Sequence, residues 1–193
     1  MMGPLGRWVG LLLVGLVAAC DDAAPEQDAG GAVCVGDPDV PIGGDFTLVD
    51  HNGETVTQEV LTGQYSLVYF GFTHCPDVCP TELQRMTAAL DTLSERGKNL
   101  EQVQPAFISV DPKRDTPEVV KQYISLVHPR LIGLTGSKAQ VDTAASAFRV
   151  FHSIDGDPES DSYLVNHTSM IFFLDRQGRY IAHFTAEDTP EAV

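Results

Sequence analysis

The stretch Gly71-Phe-Thr-His-Cys75-Pro-Asp-Val-Cys79-Pro-Thr81 places two cysteines between segments of different pattern. The segment before it, residues 65–72, is apolar and rich in β-forming residues, which predicts a strand buried on both faces. The segment after it repeats apolar residues at helical spacing, at Leu83, Met86, Leu90 and Leu93. The cysteines are therefore expected on a strand-to-helix turn, where unpaired N–H groups and the helix dipole favour thiolate over thiol.

The spacing of the cysteines widens their possible chemistry. Three residues separate Cys75 from Cys79, whereas thioredoxin-type redox pairs have two residues between the cysteines. This gap can close to a disulfide, and it also leaves both sulfurs free to hold one ion. Two thiolates suit Cu(I), whereas Cu(II) or a closed trigonal site needs a third ligand from elsewhere in the chain. The alternative without redox or metal chemistry is a purely structural disulfide.

Length and charge limit the classes of function. The chain has 193 residues, with 12 Lys and Arg against 27 Asp and Glu, for a formal net charge of −15. This length predicts one domain with extensions. The acidity speaks against binding nucleic acid or anionic lipid head groups. The negative charge would suit binding to a basic partner surface, but it can also serve only to keep the protein soluble.

The N-terminus has the pattern of a targeting segment. Arg7 precedes an apolar run, residues 8–19, that is too short to span a bilayer comfortably. The run ends in Leu-Val-Ala-Ala-Cys20, which resembles a bacterial lipoprotein signal. We therefore expect residues 1–19 to be a signal peptide and Cys20 to carry lipid, with the protein anchored to the membrane and facing the periplasm. An uncleaved anchor helix or an ordinary secretory signal is the alternative.

The next segment, residues 20–44, is rich in Asp, Ala, Gly and Pro without apolar periodicity, which predicts a flexible tether. Cys34 lies in it, with nothing metal-like around it. Residues 45–193 form the predicted domain.

The domain alternates strand and helix patterns. A hairpin is expected around His51-Asn-Gly53, and Ser137 with Gln140 predicts a capping box. The acidic run 155–161 lacks the glycine and glutamate of a calcium-binding EF-hand, so it is interpreted as a solvated loop. Further strands are expected at 103–110, 131–134, 169–175 and 180–184, with a helix beginning at Asp115 or Thr116. The order ββαβαβαββ predicts an α/β, thioredoxin-like sandwich with a mixed central sheet and an added N-terminal β-hairpin.

Six histidines are candidates for the third ligand. His167 precedes an apolar strand and is placed to reach the cysteine turn, although a lone loop histidine is usually solvated. His74 is interpreted as structural or as support for the ligands, because neighbouring residues on a tight turn point apart. The others are expected at a turn (His51), at a helix end (His128) or exposed (His152 and His183).

Four motifs in order resemble the Sco (SenC) family of copper-binding, thioredoxin-fold proteins: Tyr69-Phe-Gly-Phe-Thr-His-Cys75-Pro-Asp-Val-Cys79-Pro, Val110-Asp-Pro-Lys-Arg-Asp-Thr-Pro117, Leu131-Ile-Gly-Leu-Thr-Gly136 and Asn166-His167. The resemblance runs from about Pro41 to the end. It implies copper delivery to, or preparation of, the copper-A centre of cytochrome c oxidase subunit II. It also implies that Cys75, Cys79 and His167 bind one Cu(I) or Cu(II), with other periplasmic copper chaperones or thiol reductases as further partners.

Other functions remain open besides the one that this resemblance implies. A thiol-disulfide reductase would use Cys75 or Cys79 as the attacking thiolate to keep the oxidase's copper-site cysteines reduced, and a copper store without delivery also remains open. A peroxidase is disfavoured because no proline opens the loop before Cys75. Asn166 departs from the family's usual Asp. The charged loop with Asp111, Arg114 and Asp115 resembles the family's own, and either contacts a partner, supports the ligands or is simply a capped, salt-bridged loop.

Overall fold

The computed structural model describes residues 34–35, 41–190 and 192–193. Cys20 and the expected signal peptide lie outside the described residues. Within them, the strands are β1 Cys34–Val35, β2 Thr47–Asp50, β3 Thr55–Thr57, β4 Tyr65–Gly71, β5 Val103–Ser109, β6 Ile132–Thr135, β7 His152–Asp155, β8 Leu164–His167, β9 Ile171–Leu174 and β10 Tyr180–Phe184. The α-helices there are α1 Val78–Glu95, α2 Pro117–Ser125 and α3 Lys138–Ala147.

A mixed sheet forms the centre of the domain. Among the described residues, eight strands follow the order β1-β10-β9-β4-β5-β6-β2-β3, and β7 pairs only with β8 in a separate hairpin. The β4–β5 and β5–β6 pairs are parallel, whereas β9 runs antiparallel to β4. The predicted fold class, a thioredoxin-like α/β sandwich with a mixed sheet and an N-terminal β2–β3 hairpin, is confirmed.

Strand β4 lies at the centre because its sequence is apolar on both faces. Its residues Leu67, Val68, Tyr69 and Phe70 are each at most 2% exposed. Such a strand is stable only with neighbours on both edges and cover on both faces. Its carboxyl end therefore delivers the cysteine turn to a fixed place beside the core.

The helices begin where local chemistry predicts. The Thr116 side chain caps α2 by accepting the N–H of Val119, and Pro117 takes the first helical position. At α3, Ser137 and Gln140 form the predicted capping box, each side chain accepting the other residue's backbone N–H. These caps fix the ends of helices that pack on the sheet.

The structure differs from the sequence-based expectation at two places. Cys34 and Val35 pair with β10 as an edge strand, and Ile42 packs against the core, so ordered structure begins before the predicted boundary at Gly44. The β7–β8 hairpin was not predicted, because its short strands show little apolar alternation and pair only with each other. In the part of the chain that the structure describes, no helix is long and apolar enough to cross a membrane.

Candidate metal centre

The cysteine turn follows β4 directly. Cys75 lies in the turn and is partly exposed, whereas Cys79 lies in the first turn of α1 and is 0% exposed. The backbone N–H of Cys79 donates to Cys75 Sγ over 3.3 Å. This N–H is one of the helix-start donors that lack a partner within the helix, so the sulfur takes the place of a capping oxygen. Both thiols are free rather than joined in a disulfide.

Gly71 makes room for the buried sulfur. A Cβ at this position would lie 2.9 Å from Cys79 Sγ and 2.9 Å from Cε1 of Tyr69. Carbon atoms do not approach sulfur or carbon so closely without displacing one of them. The glycine at the end of β4 therefore permits the close approach of strand and helix on which the site depends.

His167 reaches the cysteines from the end of β8. Its Nε2 lies 3.4 Å from Cys79 Sγ, across 88 residues of sequence. Its Nδ1 lies 2.9 Å from the carbonyl oxygen of Thr168, which accepts a hydrogen bond only if Nδ1 carries the proton. The ring also meets Tyr69 and Phe72 edge-on, with centroids 6.1 and 5.9 Å apart. The lone pair on Nε2 is thus directed toward the sulfur.

Burial controls the protonation of this pair. Burial raises the pKa of Cys79 to about 12, against a smaller lowering by the backbone N–H of Phe72. Burial likewise lowers the pKa of His167, partly offset by the bond to Thr168. Near neutral pH the pair is therefore a thiol beside a neutral imidazole. The expectation that the helix N-terminus makes Cys79 a thiolate is wrong, because desolvation outweighs the backbone hydrogen bond that favours the charged sulfur.

The three side chains match copper in donor type. Two thiol sulfurs and an imidazole nitrogen are soft and borderline ligands, which suit Cu(I) and Cu(II). Among the described residues, no three His, Cys, Asp or Glu side chains already stand in a metal-binding arrangement. A groove of about 300 Å³ has Cys75, Val78, Leu164 and His167 in its lining, whereas the buried Cys79 is not part of that lining.

The remaining histidines make their polar contacts with other groups. The half-exposed His74 lies 3.0 Å from Thr73 Oγ1 and 3.7 Å from Asp115 Oδ1 through its Nδ1, in keeping with a structural role. His51 and His128 each face a backbone N–H through Nδ1.

Two histidines expected to be exposed are instead partly buried. His152 is the cross-strand partner of His167, and its Nε2 lies 3.3 Å from the carboxylate of Asp142. His183 is bonded to the hydroxyl of Tyr180. Sequence reasoning missed the position of His152 because it missed the β7–β8 hairpin.

The charged loop is built into the interior. Asp111 and Asp115 are 3% and 0% exposed, and Asp111 pairs with Arg114. The salt-bridged alternative from the sequence is therefore present in the structure, with Asp115 bonded to Thr73, two residues before Cys75.

The family model SCO1/SenC matches residues 36–193. A SCO2-like protein of Rickettsia felis is 41% identical over 170 residues, which cover 88% of this chain and 82% of that protein.

Solved structures agree with the family match. Arabidopsis thaliana ScoI with copper bound superposes with a TM-score of 0.73 at 39% identity, covering 78% of this chain and 92% of that one. BsSco superposes with a TM-score of 0.61 at 27% identity, covering 82% and 91%. BsSco is described as having a disulfide switch and as a member of the Sco family of cytochrome c oxidase assembly proteins. With the family model matched over most of the chain, this protein belongs to the SCO1/SenC family.

Proposed function

We propose that this protein is a copper carrier in cytochrome c oxidase assembly, which binds one copper ion through Cys75, Cys79 and His167 and serves the copper-A centre of subunit II. The observation that carries the proposal is the 3.4 Å approach of His167 Nε2 to Cys79 Sγ. The bond from His167 Nδ1 to Thr168 leaves Nε2 as the coordinating nitrogen, and this outer hydrogen bond orients the ring as it does in metal sites generally. The copper-bound relative supports the same cargo.

The arrangement accounts for uptake and release. Copper would bind both sulfurs as thiolates. Binding would therefore release their protons and would weaken at low pH. A three-ligand site at a groove leaves one side open to a receiving protein. The cysteines come from the α1 end and the histidine from β8, so a partner that displaces His167 would leave a two-sulfur site that favours Cu(I).

A copper titration of the reduced protein tests the proposal. We expect one Cu(II) per chain, with a thiolate-to-copper charge-transfer band and an EPR signal that His167→Ala changes or removes. Cys75→Ser and Cys79→Ser should each abolish tight binding. His74→Ala is the matched control, because this histidine neighbours Cys75 in sequence while its Nδ1 contacts Thr73 and Asp115. If His167→Ala leaves both spectra unchanged, the ligand assignment is wrong.

The approach of His167 Nε2 to Cys79 Sγ also favours a second function, thiol-disulfide reduction. Cys75, as thiolate, would attack a partner disulfide and release one partner thiolate. His167 Nε2 would then take the proton of Cys79, whose sulfur attacks Cys75 Sγ and releases the second partner thiolate. Two electrons pass to the partner, and this protein keeps a Cys75–Cys79 disulfide. Turnover of a disulfide substrate by copper-free protein, with no charge-transfer band on titration, would favour this function over the carrier.

The expected lipid anchor at Cys20 remains part of the proposal. A lipid there would hold the domain at the periplasmic face of the membrane, where its receiving protein would lie. Detergent-phase partition of the protein and of Cys20→Ala tests it: the anchored protein should enter the detergent phase and the variant should not. Equal partition of both would argue against lipidation.

A further inference from the structure

The loop between β5 and α2, residues 111–115, contacts both halves of the candidate metal centre. Its first contact is with the cysteine half. Asp115, fully buried, accepts the backbone N–H of Thr73 at 3.0 Å and the hydroxyl of Thr73 at 2.6 Å. It also accepts the hydroxyl of Ser109 at 2.6 Å, so its carboxylate is held in place from the sheet side.

Its second contact is with the chain that leads into the histidine half. The Tyr163 hydroxyl donates to Asp111 Oδ1 at 2.6 Å. Arg114 Nη1 donates to the carbonyl oxygens of Asp161 and Tyr163, at 3.1 and 3.0 Å. The guanidinium carbon lies 3.6 Å from the centroid of the Tyr163 ring. These contacts end at the residue that directly precedes β8.

Burial makes this connection rigid. The Arg114 side chain is 11% exposed and its ion pair partner Asp111 is 3% exposed. A buried ion pair contributes little net stability, but it is costly to break and its donors fix direction. Lysine cannot reproduce the planar fork that bonds Asp111 and two carbonyl groups while it stacks on Tyr163.

We propose that Arg114 is a positioning residue for the copper site, which holds the β7–β8 hairpin so that His167 faces the cysteines. This inference rests on the proposed function for its copper readout. Arg114 acts through the backbone of 161–163 and through Phe72, whose ring lies 5.8 Å from the guanidinium carbon and meets His167 edge-on. The cysteine turn itself is held by Asp115 and Thr73. Loss of Arg114 should therefore affect the histidine half more than the cysteine half.

The test uses Arg114→Lys and the milder Tyr163→Phe, which removes only the hydroxyl bonded to Asp111. Arg176→Lys is the matched control, because Arg176 also stacks on a tyrosine, with its guanidinium carbon 5.3 Å from the ring centroid of Tyr65, at the far end of β4. Arg114→Lys should lower Cu(II) affinity by about 10- to 100-fold, the usual effect of losing a residue that orients a ligand. Tyr163→Phe should lower it less, and Arg176→Lys should not.

Two measurements on copper-free protein separate positioning from general damage. Amide hydrogen exchange of residues 164–167 should speed up in Arg114→Lys, while exchange in β4 and β5 stays unchanged. Exchange in Arg176→Lys, the second measurement, should stay at the parent value in all of these segments. An unchanged exchange rate at 164–167, or equal loss of protection in β4 and β5, would overturn the proposal. If the parent protein binds no copper, the carrier function fails, while the exchange measurement still decides the role of Arg114.

Discussion

At the scale of single residues, burial decides the chemistry of Cys79. The helix start offers N–H groups, yet the sulfur is 0% exposed and its pKa is raised to about 12. The thiol proton must therefore leave when a metal arrives or when the cysteine attacks a disulfide. His167, whose pKa is lowered, stands 3.4 Å away as a neutral base.

The raised pKa of Cys79 predicts slow alkylation. In the Cys75→Ser variant, the rate of Cys79 modification by iodoacetamide should still rise about tenfold per pH unit near pH 9 to 10, because only the thiolate reacts. Mass spectrometry of the peptide measures it. The same variant in denaturant is the control. Its alkylation rate should level off once the pH passes the ordinary thiol pKa of 9.0. A plateau near that value in the folded protein would contradict the prediction.

The close contacts around Gly71 predict that a larger residue at this position will be poorly tolerated. Gly71→Ala places a methyl group 2.9 Å from Cys79 Sγ and from Tyr69 Cε1, so we expect about 1–3 kcal/mol loss of unfolding free energy and an altered copper charge-transfer band. Urea denaturation and absorption spectroscopy measure these. In the control, Gly136→Ala, the methyl group would press on the Gln140 side chain of the α3 capping box, so stability should also fall while the copper band stays unchanged. An unchanged copper band in both variants would show that Gly71 does not restrict the site.

At the scale of elements, helix and hairpin have separate roles. Helix α1 and strand β4 carry the cysteines, and the β7–β8 hairpin carries His167 with His152 across from it. The hairpin pairs with no strand of the main sheet in the described residues. Its position therefore depends on side-chain contacts such as those of Arg114.

Loss of the N-terminal cap of helix α3 should lower stability without changing copper binding. Ser137→Ala removes the capping box and should cost about 1 kcal/mol of unfolding free energy, while copper spectra stay unchanged. Urea denaturation checks the loss. Ser146→Ala, at an exposed site within the same helix, should be neutral or slightly stabilising, because alanine is the better helix former. A neutral Ser137→Ala would mean that the cap contributes nothing.

At the scale of the whole molecule, copper would link two distant parts of the chain. Cys79 and His167 are 88 residues apart, so an ion held by both favours the folded state alone. With free Cu(I) at about 100 times Kd, the stabilisation should be about 2.7 kcal/mol. Thermal unfolding under anaerobic conditions should show a higher Tm, and a copper chelator should reverse it. Equal stabilisation of the Cys75→Ser/Cys79→Ser variant would place the ion elsewhere.

Much of the fold follows from local signals. The apolar run of β4, the Thr116 and Ser137 caps and the turn at Gly53 each predicted their element, because each signal acts over a few residues. The β1 strand was missed because it pairs with the distant strand β10, and the β7–β8 hairpin was missed because its short strands show little apolar alternation. The same limit made His152 seem exposed.

From the sequence alone, the cysteine spacing and the motif around His167 predict the residues that copper chemistry would use. Only the tertiary structure decided how close they stand and in which protonation state, because distance and desolvation depend on contacts between β4, α1 and β8. The tertiary structure also buries Asp111 and Asp115 and bonds Arg114 to the backbone that leads into β8. No local pattern can place a buried charge against a chain segment 49 residues away.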